Sequence, residues 1–175
     1  GNFEVAEDLT DDVNWKFALA NGGEGTAEIK DNKVVVKSTK GGTVDYSLQL
    51  LQANVPLKKN GKYRISFDAK AAENRNMILN MTSPDRSYVR QFPDTVVDLT
   101  QDLKSYSYDF VMKDDDDANA RLEFNFGNRG SLADVEISNV RIEKTGEIDA
   151  TNEDIKTILP DGNYVYNGTF DVGAD

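Results

Sequence analysis

Between residues 26 and 143 the sequence is a succession of short runs in which apolar and polar side chains alternate. Alternation sends successive side chains to opposite faces of an extended strand, whereas a helix needs a period near 3.6. The runs that predict strands are TAEIKD (26–31), KVVVKS (33–38), VDYSLQLLQ (44–52), KYRISFDAK (62–70), NMILNMT (76–82), SYVRQF (87–92), TVVDL (95–99), SYSYDFVM (105–112), ARLEFNF (120–126) and DVEISNVRIE (134–143). Residues that turn a chain stand between them: Asp31-Asn32, Gly41-Gly42, Asn60-Gly61, Ser83-Pro84-Asp85, the acidic run 114–117 and the stretch 127–130. Many short strands with almost no helix-period sequence between them predict an all-β fold, an antiparallel two-sheet β-sandwich of the jelly-roll kind.

The same alternation assigns faces. Tyr63, Ile65, Phe67 and Ala69 point to the core and Arg64, Ser66, Asp68 and Lys70 away from it; Leu122, Phe124 and Phe126 are inward, with Arg121, Glu123 and Asn125 outward. Tyr46, Leu48 and Leu50 share the inward face of their run, opposite Ser47, Gln49 and Leu51. Any site is then built from the polar faces or the loops.

Composition restricts what such a site can do. The 175 residues contain no His and no Cys, which excludes Ser-His-Asp and Cys-His nucleophiles and Cys/His zinc sites. With 20 Lys and Arg against 31 Asp and Glu the net charge is −11, and no basic cluster longer than Lys58-Lys59 interrupts it. Nucleic acid and anionic membranes are therefore not expected partners. No apolar stretch is long enough for a membrane-spanning helix, and no signal-peptide pattern is present in this sequence.

Among the outward residues, Gln49, Asn80, Arg121 and Asn125 combine planar amides with a guanidinium, groups that form paired hydrogen bonds to vicinal hydroxyls; Tyr88 is nearby in sequence. Trp15, the single Trp, reads either as a ring packed at the sandwich edge or as a platform for a sugar face.

The segments GNFE (1–4), Trp15, 21–36, VDYSLQLLQANVPLKKNGKYRISFDAKA (44–71), Arg75, LKSYSYDFVM (103–112), DDANARLEFNFGN (116–128) and ISNVRIE (137–143) resemble the family 4/9 group of carbohydrate-binding modules. The resemblance runs over residues 1–145 and implies a β-sandwich that binds single β-glucan or xylan chains in a cleft, without catalysis, as part of a secreted polysaccharide-degrading enzyme. It implies cleft positions at Gln49, Arg121 and Asn125, with Gln52, Arg75 and Tyr88 as additions, and it aligns Trp15 with the family's N-terminal Trp. Tyr46 stands where many members have Trp, yet the alternation assigns it to the core. A structural calcium, common in the group, would fall on Asn2, Glu4, Asp31 or Lys33, and Asn139, with Ser138 in place of the expected Asp.

The last thirty residues depart from the strand pattern. Residues 146–162 read as a linker with a short helix at 151–159, and NGTFD at 167–171 echoes GNFE at 1–4, as the beginning of a second copy of the module over 163–175 would. Glu147-Ile148-Asp149 resembles the paired-acid signature of family 16 glycoside hydrolases, but Asn152 occupies the third acid's position and Glu153 falls on the other face. The reading is thus a monomeric, secreted or cell-surface binding module joined to a catalytic domain and further modules. Its alternative is a structural spacer or surface interaction domain that binds no glycan.

Overall fold

A computed structural model describes residue 9 and residues 15–148. It contains ten strands: β1 (Trp15–Leu19), β2 (Gly23–Lys30), β3 (Lys33–Gly41), β4 (Leu48–Leu57), β5 (Gly61–Ala71), β6 (Arg75–Ser83), β7 (Val89–Leu99), β8 (Lys104–Val111), β9 (Asp117–Asn125) and β10 (Val135–Glu147). They form two five-stranded sheets, a front sheet in the order β1-β4-β9-β6-β7 and a back sheet in the order β2-β3-β10-β5-β8. Every pairing is antiparallel, and sequence neighbours repeatedly cross between layers, which is the jelly-roll arrangement.

The core lies between the sheets and follows the alternation. Along β5, Tyr63, Ile65, Phe67 and Ala69 are buried, and along β9, Leu122 and Phe124. Phe67 of the back sheet meets Phe124 of the front sheet edge-on, with ring centroids 5.2 Å apart and planes at 88°. That aromatic contact, one of the geometries aromatic pairs favour, ties the layers at their centre.

Three departures from the sequence reading have local causes. Trp15–Leu19, which lies before the first predicted run, is a strand; it is the edge of the front sheet, paired with Leu48–Gln52. The runs at 87–92 and 95–99 are one strand, β7, which passes through Pro93 because it is an edge and needs no partner for that missing N–H. Likewise β4 continues through Pro56, beyond Gln52, where its pairing with β1 has ended.

Among the described residues no helix is long and apolar enough to cross a membrane. The predicted helix at 151–159 and second copy at 163–175 lie outside the described residues, whereas β10 extends two residues, Gly146 and Glu147, into the segment read as linker.

Candidate functional site

The outward face of the front sheet gathers polar residues in register. Gln49 of β4 faces Asn125 of β9, Leu51 faces Glu123, Glu123 faces Asn80 of β6, and Arg121 faces Thr82. Gln49 Nε2 donates to Asn125 Oδ1 at 2.7 Å, and Arg121 Nη2 donates to Gln49 Oε1 at 2.5 Å. Thr82 Oγ1 donates to the Glu123 carboxylate at 3.3 Å, and the Asn125 amide, two positions along the strand, favours the ionised form of that carboxylate. Arg121 Nε lies 3.0 Å from Glu123 Oε2, close enough for ion pairing though not aligned as a hydrogen bond. Glu123, Asn125, Gln49 and Arg121 therefore close a ring of polar contacts, and the first three are almost fully buried.

Above this floor is a cleft of about 410 Å³ lined by Tyr46, Gln49, Tyr88, Arg90, Arg121 and Glu123. Tyr46 and Tyr88 are its exposed aromatics, at 47% and 51%. The strand at 44–52 does not begin at Val44: Asp45–Ser47 is a 3-10 turn that breaks the alternation and brings Tyr46 out of the core face into the cleft. Asp45 Oδ1 accepts from the Tyr46 amide at 2.8 Å, and Gly127 closes on the turn from behind, its N–H donating to Asp45 O. A Cβ at position 127 would lie 2.3 Å from Val44 O, so only glycine fits against this turn.

Tyr88 stands on the loop between β6 and β7. Ser87 and Tyr88 both have left-handed backbone, with φ 56° and 59°, unusual for a bulky side chain and of the kind found at ligand clamps. The Tyr88 ring covers the Arg121 guanidinium at 5.7 Å from centroid to Cζ. Arg90 Nη1 donates to Tyr88 O and Arg90 Nε to Asp94 Oδ1, each at 2.8 Å. Asn80 sits beneath that pair, donating to Asp94 Oδ1 at 2.9 Å, with its own Oδ1 buried and lacking a hydrogen-bond partner.

Burial beside Leu51 pushes the Glu123 carboxyl above the usual glutamate range; Arg121, Arg90 and the bonds from Thr82 and Asn125 oppose the shift without cancelling it.

Of the eight residues expected to contact ligand, the structure brings Gln49, Tyr88, Arg121 and Asn125 together and leaves Asn80 at the edge of the floor. Trp15 is fully buried, 6.3 Å from Phe124 between ring centroids, and is a core residue; a ring with no exposed face cannot stack on a sugar. Gln52 has the parity of Leu48 and Leu50 and is buried on the core side opposite Leu122. Arg75 has the parity of Met77 and Leu79; its guanidinium donates to the carbonyls of Ala133 and Phe126, an anchor for the loop after β9 at the far end of β6. Glu123, Arg90 and Tyr46 were not expected there. Glu123 was legible as an outward neighbour of Arg121 and Asn125, and only the register revealed its contacts.

The calcium positions divide. Asn2 and Glu4 lie outside the described residues. Asp31 and Asn32 form the β2–β3 turn, Lys33 Nζ pairs with Glu136 Oε1 at 2.8 Å, and Asn139 Nδ2, at a bulge in β10, donates to Asp68 Oδ2 at 2.7 Å. Among the described residues no three carboxylates gather in a way that could hold a metal. Glu147 ends β10 in the back sheet and pairs with Lys144, in the layer opposite the cleft.

Residues 1–132 match the carbohydrate binding domain family CBM 4/9. The fold is similar to that of a solved CBM4 domain, with 19% identity and a TM-score of 0.68 over 77% of this chain and 94% of that one. It is also similar to the N-terminal cellulose-binding domain of Cellulomonas fimi β-1,4-glucanase C, with 17% identity and a TM-score of 0.60 over 78% and 90%. The carbohydrate-binding module PbXyn10C CBM aligns with 18% identity and a TM-score of 0.57 over 89% and 80%. At such identities these likenesses show the fold. No curated protein matches the sequence.

Proposed function

Since the chain belongs to the CBM 4/9 carbohydrate binding domain family, its sandwich is a non-catalytic carbohydrate-binding module, and we propose that its ligand is a single chain of neutral β-glucan lying in the front-sheet cleft. The observation that carries this reading is the polar ring of Gln49, Arg121, Glu123 and Asn125 beneath two exposed tyrosines. Amides and a guanidinium suit the equatorial hydroxyls of a glucose unit, and Tyr faces suit its C–H faces. The charged side chains around the cleft are Arg90 and Arg121 against Asp94 and Glu123, a balance that favours an uncharged sugar over a uronic acid or phosphate. The cellulose-binding domain among the similar folds supports the glucan assignment. The biological role is to hold an attached glycoside hydrolase at polysaccharide outside the cell, raising its local concentration on substrate.

Affinity gel electrophoresis against laminarin, mixed-linkage β-glucan, hydroxyethylcellulose and xylan tests the reading. Migration is expected to slow in at least one of the β-glucan gels, and Gln49→Ala or Asn125→Ala to restore free mobility; full mobility in all four gels overturns it. Tyr46→Ala and Tyr88→Ala are each expected to weaken binding about twofold to tenfold, the equivalent of about 0.5–1.5 kcal/mol for an aromatic contact. A Tyr46→Ala variant with unchanged affinity would remove that ring from the cleft wall.

A structural calcium held by Asn2, Glu4, the 31–33 turn and Asn139 belongs to the same proposal. Its support is the position of Asn139, two residues beyond Ile137, whose β3 partner is Val34 at the end of that turn. Removing calcium with EDTA is expected to lower the melting temperature, by an amount equivalent to about 2.7 kcal/mol when the ion stands at a hundred times its Kd. Equal melting curves with and without EDTA overturn the metal assignment.

A further inference from the structure

We infer that Glu123 is a positioning residue for the cleft: its ionised carboxylate fixes the orientation of the Asn125 and Gln49 amides and the place of Arg121, so that glycan affinity falls when Glu123 takes up a proton. The inference rests on the β-glucan reading of the cleft.

The polarity of the ring is dictated at both ends. A carboxylate can only accept hydrogen bonds and a guanidinium can only donate them. Arg121 Nη2 donates to Gln49 Oε1, which turns Gln49 Nε2 toward Asn125 Oδ1 and leaves the Asn125 amide nitrogen for the Glu123 side. Arg121 returns to Glu123 through the 3.0 Å ion contact, which closes the ring. Each amide therefore has one orientation, and its remaining hydrogen-bonding capacity is offered to the cleft in a fixed pattern.

A proton on Glu123 converts one carboxylate oxygen into a donor. If that O–H turns to Asn125, the Asn125 amide must reverse and set its NH₂ against the NH₂ of Gln49, which Arg121 prevents from reversing in turn. If it turns elsewhere, the bond from Thr82 loses its charge assistance and Arg121 loses its counter-ion. Either way the floor loosens.

The groups facing Glu123 are few. Arg121 stands beside it on β9 and Arg90 and Asp94 on β7; Thr82 and Asn80 of β6 and Gln49 and Leu51 of β4 are uncharged, and Lys16 of β1 lies farther along the same row. Tyr46 and Tyr88 also line the cleft. Burial holds the Glu123 carboxyl above its ordinary value of 4.5, and from that ordinary value up through the folded one, rising pH takes the proton off. In that window the unfolded chain has already ionised, so the group's contribution to stability falls as pH rises. Binding is expected to move the opposite way, and a side chain that merely supports the fold would not produce opposed slopes.

The test has two arms. In the ligand-free protein, the side-chain amide signals of Gln49 and Asn125 are followed by ¹H–¹⁵N NMR from about pH 4 to pH 8. Both are expected to shift on one titration curve that is absent in Glu123→Gln; stationary amides in the wild type overturn the positioning role without requiring the variant to fold. In the second arm, calorimetric affinity for a mixed-linkage glucan oligosaccharide is expected to fall about tenfold at the acid end in the wild type and to be flat in Glu123→Gln, with melting temperatures recorded at each pH. Affinity independent of pH while the amides titrate overturns the link to binding. Absence of binding to any β-glucan at neutral pH overturns the glucan reading instead, and the first arm still decides the polarity of the ring.

Discussion

Arg121→Ala is expected to weaken binding to a soluble β-glucan about a hundredfold. The guanidinium joins three parts of the site: it donates to Gln49 Oε1, balances the charge of Glu123 and lies under the Tyr88 ring. Those contacts hold the guanidinium in place in the free protein, so that its remaining N–H groups meet a sugar hydroxyl already oriented; a hydrogen bond from a charged donor contributes about 1.5–3 kcal/mol, and about 2.7 kcal/mol is the equivalent of a hundredfold in affinity. Truncation would also leave Glu123 buried without its nearest cation, so its carboxyl should move still higher and the melting temperature should fall. Arg121→Lys separates the two effects. An ammonium keeps the charge near Glu123 but lacks the planar fork that reaches Gln49 and the flat face that meets Tyr88, so stability should return further than affinity does. Titration calorimetry at neutral pH measures both variants, and a loss below about threefold for Arg121→Ala would remove this residue from the centre of the site.

How far the sequence announced this site varies residue by residue. Gln49, Arg121 and Asn125 were legible because a period of two sorts side chains by face, and the face is set by apolar neighbours such as Leu50, Leu122 and Phe124. Gln52 and Arg75 were assigned by resemblance, against their parity. Counting from Leu50 and Met77 already puts both on the core side, and each is buried there. Tyr46 shows the converse error, since extrapolating the alternation backward from Leu48 carried it through a 3-10 turn that has no such alternation. A signal was present in Gly127, but its closeness to Val44 and Asp45 depends on a contact across some eighty positions of sequence.

The part Glu123 plays in the site was hidden for a different reason. Its outward face was evident, but an acid on an outward face is ordinarily a solvated one. What makes it a component of the site is Leu51 on one neighbouring strand, Asn80 on the other and Arg121 two residues before it. Strand order and register bring those together, and neither follows from local composition. The core by contrast depends mainly on pattern, which is why β5 and β9 were read nearly residue for residue while the clefts and edges around them were not.

Trp15→Ala is expected to cost about 3–5 kcal/mol of stability, the range for removing a large buried aromatic, and to lower the melting temperature by on the order of 10 °C. Trp15 is the first residue of β1, opposite Gln52, and carries the edge strand's contact to Phe124, which in turn meets Phe67 of the back sheet. Removing the indole opens a void at one end of that aromatic line, and the front sheet's edge loses its largest anchor. The cleft lies on the opposite face of the same sheet, with its own supports in Gln49, Arg121 and Gly127, so affinity measured well below the variant's melting temperature should stay within about twofold of the wild type. Trp15→Phe should retain most of the stability, because its ring can still fill part of the space beside Phe124. Thermal denaturation and calorimetry on the same samples separate the two roles: a large loss of affinity with an unchanged melting temperature would make Trp15 a sugar platform, whereas the buried position predicts the reverse pairing, a lowered melting temperature with intact binding.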